Sequence, residues 1–394
     1  MTDFVAATTM QSEITMQREL GRWDSGQPGP TLLVTGGVHG NEPAGVYAAQ
    51  RVLAQLQERA PQIRGRFIAL VGNLPALSEN RRFLSRDLNR SWDQESLVVN
   101  QARGEQERSP EDREQLDLIA CFVEVERSAS GPLVYCDLHT SSAAGSPFLC
   151  LADTIDNRRL GLTTGVPIIL GIEETIAGAS LEWFADRGIM AFAVEGGQHE
   201  SDEAIANHEA VLWGLLVKLG ILPEGFVDLE PHRERLRQAV GSAPPIVEIV
   251  HRHVIASADA FRMESGFVNF AVVAKGQLLA KDRHGDVCAK HKSLVMLPLY
   301  QELGDDGFFL ARRVRWFWLL LAKWLRACHV AALLPLMPGI RRDSDDHDTM
   351  LANPRVARWF VVEFFHLLGF RKETERLGCL AFRRRCSRRV NRSL

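Results

Sequence analysis

The sequence has no cysteine pattern, no long uncharged apolar run and little net charge, and each absence removes a class of protein. Its seven cysteines, at positions 121, 136, 150, 288, 328, 379 and 386, are scattered. An odd number without tight spacing argues against a disulfide framework and against a zinc ribbon. Cys136 and Cys150 lie in apolar runs and read as small core residues. The stretch from Met1 to Leu20 holds polar and acidic residues without an apolar h-region, so no secretory signal is visible and a reducing cytoplasm is the expected compartment. Trp316 to Pro338 is rich in Trp, Leu and Ala, but Lys323, Arg326 and His329 interrupt it, which leaves no charge-free span of membrane length. A formal net charge of -3 is not that of a chain built for nucleic acid. The charge is uneven, with Arg383-Arg384-Arg385 and Arg388-Arg389 near one end and an acidic run from Asp343 to Asp348. No internal repeat is present.

What is there is ordinary globular composition, 46% apolar and 24% charged over 394 residues, enough for one large domain and one or two smaller units. Thr31-Leu32-Leu33-Val34-Thr35 reads as a buried strand ended by Gly36-Gly37, and Phe67 to Val71, Leu133 to Leu138 and Ile189 to Val194 read the same way. Between them, Gly45 to Arg59, Gln106 to Glu126, Leu181 to Arg187 and Ala204 to Leu219 carry apolar residues at helical spacing. Strands alternating with helices predict an α/β fold with a mixed, mainly parallel sheet flanked by helices on both faces. Gly241-Ser242-Ala243-Pro244-Pro245 reads as a linker. After it come short β-like runs broken by glycine, which predict a small β-barrel or sandwich. From Val314 onward the chain reads as helical, with the acidic run as a loop. The expected units are a catalytic domain over 1–235, a β-rich domain over 246–313 and a helical extension over 314–394.

Four clusters carry chemistry. Gly36-Gly37-Val38-His39-Gly40-Asn41-Glu42-Pro43 follows a strand and precedes a helix, so one turn aims His39 and Glu42 at a common point. Asp137-Leu138-His139-Thr140-Ser141 closes another strand, with Asp137 and His139 on the same face. Two His and one Glu with an open fourth position form a catalytic zinc set, and Asp137 is placed to orient the imidazole of His139. Asn80-Arg81-Arg82-Phe83 and Asp87-Leu88-Asn89-Arg90 supply guanidinium and amide groups suited to a carboxylate or to an oxyanion. Phe192-Ala193-Val194-Glu195-Gly196-Gly197 ends a strand in a carboxylate placed to move a proton. Taken singly, each has a bland reading: a turn with a solvated Glu, a core histidine, a solvated basic loop, a strand-ending surface Glu.

In order, His39/Glu42, Arg82, Asn89-Arg90, His139 and Glu195 resemble the succinylglutamate desuccinylase and aspartoacylase family, which is related to zinc carboxypeptidases. The resemblance covers roughly residues 30 to 310. It implies a carboxypeptidase-like α/β fold and one zinc ion held by His39, Glu42 and His139. It further implies Arg82 at the scissile carbonyl, Asn89 and Arg90 at a substrate carboxylate, and Glu195 as general base and acid. The expected activity is hydrolysis of an amide bond in a small carboxylate-bearing substrate of the N-acyl amino acid type. The sequence departs from the aspartoacylase branch in having no arginine from Gly196 to His208, where Gln198, His199 and His208 stand instead. None of the three tyrosines, Tyr47, Tyr135 and Tyr300, is placed as the substrate tyrosine of the second domain.

Two rival readings share the scaffold: a zinc carboxypeptidase or amidase acting on peptides, and a non-catalytic binding protein. The tail from Val314 to Leu394 has no counterpart in the resemblance. Trp316, Phe317, Trp318 and Trp324 with nearby cations suit either a helix packed on the body or on a second subunit of a homo-oligomer, which is the favoured expectation, or one lying at a membrane surface.

Overall fold

The computed structural model describes residues 17–59, 64–199, 201–356, 361–376 and 378–385. Its centre is a mixed sheet of 11 strands. In spatial order they are Glu19–Asp24, Arg66–Val71, Thr31–Gly36, Leu133–Ser141, Met190–Gln198, Phe148–Leu151, Ile168–Leu170, Ile246–Val254, Asp306–Arg313, Ser293–Met296 and Ala271–Val273. The four strands from Arg66–Val71 to Met190–Gln198 run parallel. They are buried on both faces, as their near-continuous apolar sequence demands.

Alternation along these strands builds two cores. Leu32, Val34, Phe67, Ala69, Cys136 and Leu138 face the helices Ala44–Arg59 and Asp202–Lys218, with Trp213 fully buried among them. Leu33, Ile68, Leu70 and Tyr135 face the helices Pro110–Ser128 and Ser180–Asp186, where Phe122 and Phe184 pack. Tyr135 and Phe184 stack at 3.8 Å between ring centroids. Each fully buried side chain of this size contributes about 1.5–3 kcal/mol. The same alternation puts Asp137 and His139 on the Tyr135 side of the sheet.

The expected mainly parallel sheet is corrected to one whose pairings divide evenly between parallel and antiparallel. Ile246–Val254 pairs parallel with Ile168–Leu170 and antiparallel with Asp306–Arg313, so the β-rich stretch continues the central sheet across the Gly241–Pro245 linker. A second sheet, Gly285–Cys288, Leu278–Asp282 and Arg262–Met263, closes over it around Met263, Leu279, Val295 and Phe308.

The expected helical extension is also corrected. Trp316–Ala327 is helical and Val330–Leu336 is a 3-10 helix, but a four-stranded antiparallel sheet follows, ordered Ile340–Arg342, Thr349–Ala352, Cys379–Arg384, Phe370–Arg376, with helix Val361–Leu367 packed on it. Helical periodicity cannot separate short apolar runs such as Thr349–Ala352 from helix segments, and pairing across the intervening residues decides.

The tail is fastened to the body by buried charge. Arg385 pairs with Glu173 at 2.7 Å and with Glu174 at 2.5 Å. Arg326 reaches Asp153 at 2.9 Å and the carbonyls of His366 and Leu367. Burial works against the Asp153 charge, yet Arg158, Arg326 and Arg385 hold its pKa well below the carboxylate range. Burial likewise opposes charge on His366, but Glu174, 2.8 Å away, and Glu248 outweigh it and raise the His366 pKa to about 9.

Two outcomes follow. Arg385→Ala leaves the buried Glu173 without its guanidinium and takes one of several partners from Asp153 and Glu174, and is expected to cost about 3–5 kcal/mol in a denaturant titration. The stabilisation from charged His366 is complete below its unfolded pKa of about 6.5 and is lost as pH rises through about 9. Melting temperature should therefore fall across that window in the wild type and fall less in His366→Gln, and parallel profiles would remove His366 from the fastening.

Candidate functional site

His39 and Glu42 are brought together by a loop that only glycine can build. Gly37 sits at φ +70°. A Cβ on Gly40 would lie 2.0 Å from the backbone carbon of Ala76 and 2.4 Å from the Arg81 carbonyl oxygen. This close approach lets the Gly40 N–H donate to the Arg82 carbonyl at 3.2 Å, which ties the loop to the segment carrying Arg82. Glu42 closes the turn through its N–H to the His39 carbonyl and lies just before helix Ala44–Arg59, whose N-terminal dipole favours a carboxylate.

The Glu42 carboxylate is the meeting point. Its Oε1 is 2.8 Å from His39 Nδ1 and its Oε2 is 3.0 Å from His139 Nδ1. The Thr140 N–H donates to Oε2 at 3.0 Å and Arg82 Nη1 donates to Oε1 at 3.3 Å. The ligand atoms of His39, Glu42 and His139 all lie within 4.8 Å of one another, and all three residues are buried. Behind each imidazole stands another carboxylate. His39 Nε2 is 3.1 Å from Asp87, and His139 Nε2 is 3.1 Å from Asp137. Asp137 is itself held by Thr35 at 2.7 Å and Ser180 at 2.8 Å.

The electrostatics favour a bound cation. Glu42, Asp87, Asp137 and Glu195 are four carboxylates converging on one guanidinium and two imidazoles. Burial penalises the charge of Glu42 and Asp87, but the His39 imidazole opposite them, with His139 and Arg82, holds both well below the usual carboxylate range. Burial alike disfavours the His139 cation, which Asp137 and Glu42 restore, raising its pKa well above the ordinary imidazole value. Two Nδ1 atoms and a carboxylate, each imidazole backed by a carboxylate, fit a divalent metal of the zinc type.

Glu195 pairs in register with His139 across adjacent strands, and its Oε2 is buried without a hydrogen-bond partner. Burial pushes its pKa up to about 7, against the pull of His139, His39 and Arg82. Arg82 also donates to Asp87 at 3.0 Å, and its Nε is unpartnered. Asn89 accepts from the Ser180 N–H at 2.8 Å, which pins helix Ser180–Asp186 beside the loop. Arg90 pairs with Asp306 at 3.0 Å through Nη2 and donates to the Asn89 carbonyl at 2.9 Å through Nη1, while its Nε has no partner.

All seven residues singled out from sequence, His39, Glu42, Arg82, Asn89, Arg90, His139 and Glu195, line one cavity. Arg81 does not join them; it is exposed and lies 3.6 Å from Glu79. No tyrosine lines the cavity. Tyr300 is spent on backbone atoms of Glu264 and Phe267, Tyr135 bonds to Thr35 behind Asp137, and Tyr47 is exposed. His199, in the segment that lacks arginine, does line it, bonded to Thr140 at 2.8 Å and Gln301 at 3.1 Å. Sequence reasoning missed Asp87 as the partner of His39, although it opens the quoted Asp87-Leu88-Asn89-Arg90 run. It also missed Gln301 and Asp306, which arrive from the β-rich region without local signal.

His39→Ala and His139→Ala are each expected to abolish stoichiometric zinc uptake in a chelator competition. Asp87→Asn, which removes only the charge behind His39, should weaken affinity about 10- to 100-fold. Unchanged affinity in all three variants would remove this trio as a metal centre.

A family model described as the succinylglutamate desuccinylase/aspartoacylase catalytic domain matches residues 28–193, a span that contains His39, Glu42, Arg82, Asn89, Arg90 and His139 and stops just short of Glu195. The chain is 24% identical over 274 residues to the succinylglutamate desuccinylase of Burkholderia orbicola strain MC0-3, covering 66% of this chain and 74% of that protein. Among solved structures, a succinylglutamate desuccinylase/aspartoacylase from Rhodobacter sphaeroides superposes with a TM-score of 0.52 at 18% identity, over 73% of this chain and 87% of that one. Murine aminoacylase 3 superposes with a TM-score of 0.51 at 20% identity, over 73% and 96%. Residues 28–193 thus match the succinylglutamate desuccinylase/aspartoacylase catalytic domain, and about three quarters of the chain shares the fold of these solved structures.

Proposed function

We propose that the protein is a zinc-dependent hydrolase that cleaves the amide bond of an N-acyl amino acid. One observation carries this reading: the buried His39–Glu42–His139 trio opens into the same cavity as Arg82, Arg90 and the unpartnered carboxylate of Glu195. The family-model match and the deacylase names of the relatives support it. When bound by the trio, zinc would supply a Lewis acid and lower the pKa of a coordinated water.

The chain's own groups then divide the remaining work. Glu195 accepts the proton of the attacking water and returns it to the leaving amine, a task suited to a carboxyl whose pKa is pushed up to about 7. Arg82, kept charged by Asp87 and Glu42 despite burial, donates to the oxygen that becomes negative as the carbonyl is attacked. Arg90 offers its free Nε edge to the substrate carboxylate, and Asp306 holds the guanidinium plane on the other side. The β-rich region walls the cavity with Leu297, Leu299, Gln301 and Asp306, which supports a small substrate over a peptide chain.

Zinc-loaded protein should release free amino acid from a panel of N-acyl amino acids, and Glu195→Gln should retain zinc while turnover falls by about two orders of magnitude or more. Near-normal turnover in that variant would remove Glu195 from the chemistry. Release from short peptides with N-acyl amino acids untouched would favour the peptidase reading instead.

A further inference from the structure

The segment from Gly307 to Arg342 contains no acidic residue and seven Lys and Arg residues. Two of those cations have structural work. Arg312 pairs with Glu248 at 2.8 Å, and Arg326 anchors the inner side of helix Trp316–Ala327 to Asp153. The other five, Arg313, Arg315, Lys323, Arg341 and Arg342, are exposed and form no ion pair among the described residues.

The helix is amphipathic in the inverted sense. Only Ala322 is buried, while Trp316, Phe317, Leu320 and Trp324 stand in solvent, Phe317 at 63% and Leu320 at 64% exposure. Beyond a bend of 77° the 3-10 helix adds Leu333 and Leu336, the latter at 80%, and Met337 follows. The helix packs on the body through Leu319, Ala322 and Leu325, and this face stands opposite those contacts. The contacts of Arg326 hold the helix in place, so the apolar face is presented outward on a fixed support.

We infer that this surface is a docking site for an anionic membrane, with the helix lying in the plane of the interface. No helix among the described residues is long and apolar enough to cross a bilayer. At 1.5 Å per residue the 12-residue helix spans about 18 Å, against about 30 Å of hydrocarbon. Clustered Trp beside Leu and Phe is the chemistry of the headgroup boundary. Lys323 on the helix, with Arg313 and Arg315 just before it, complements anionic headgroups. A second copy of the chain docked through the same face would instead bring these unpaired cations against their own copies, with no acidic residue in the segment to offset them.

The test is co-sedimentation of the full chain with vesicles of phosphatidylcholine alone and of phosphatidylcholine with 30% phosphatidylserine. Binding is expected to the anionic vesicles, weakened by salt and reduced at least tenfold in Arg313→Gln/Arg315→Gln/Lys323→Gln. Trp316→Ser/Trp324→Ser should lower binding similarly, with hydrolysis and the thermal melt unchanged as the check on folding. Brominated lipid should quench part of the tryptophan fluorescence in the wild type and markedly less in the double Trp variant. Equal binding to both vesicle types, binding that survives both variants, or a concentration-dependent dimer without vesicle binding would overturn the inference.

Discussion

The Glu42 carboxylate organises everything around it. Its two oxygens receive an imidazole each, a guanidinium and a backbone N–H, and these come from three separate points of the chain. Glu42 can stand there because Gly36, Gly37 and Gly40 let the loop press against the backbone of its neighbours. A Cβ on Gly36 would lie 2.6 Å from the Val46 nitrogen, and one on Gly40 would strike the backbone at Ala76. Burying so many charged groups is tolerable because Glu42, Asp87 and Asp137 each have partners while burial raises the pKa of Glu195, and the surplus of carboxylates is what makes the place receptive to a cation.

From that centre the architecture reads outward. Parallel strands deliver His139 and Glu195 side by side, since Leu133–Ser141 and Met190–Gln198 pair with these two residues in register. The carboxyl ends of parallel strands are where open α/β sheets leave a crevice. The β-rich region supplies the far wall. Its strand Asp306–Arg313 begins with the aspartate that meets both Arg90 and Arg252, so one residue couples the loop that carries Arg90 to the added sheet. The tail then braces the opposite wall, where Arg385 holds Glu173, itself a lining residue of the cavity. The cavity and the docked tail are thereby mechanically adjacent, although their chemistry is separate.

The outward-facing aromatic helix follows from the same economy. Arg326 spends its guanidinium on Asp153 and two carbonyls, which fastens one side of the helix to the body. The remaining circumference carries apolar side chains that no other described element covers. A soluble monomer gains nothing from an exposed apolar surface of this kind, and such surfaces mark interaction sites.

The amino-acid sequence by itself determined the central strands, their flanking helices and the site residues, because each rests on local order. Leu32-Leu33-Val34 must be buried on both faces, His39 and Glu42 share one turn, and Asp137 and His139 share one face of a strand. That Arg82, Asn89 and Arg90 reach the same cavity was legible only through the order of motifs along the chain. What tertiary structure alone decided are relations between residues far apart: Asp87 behind His39, Asp306 on Arg90, Gln301 on His199, and the four-stranded sheet of the tail. The exposed face of Trp316–Ala327 belongs with them. Periodicity shows that a helix has an apolar face, but whether anything packs on that face depends on where the rest of the chain goes.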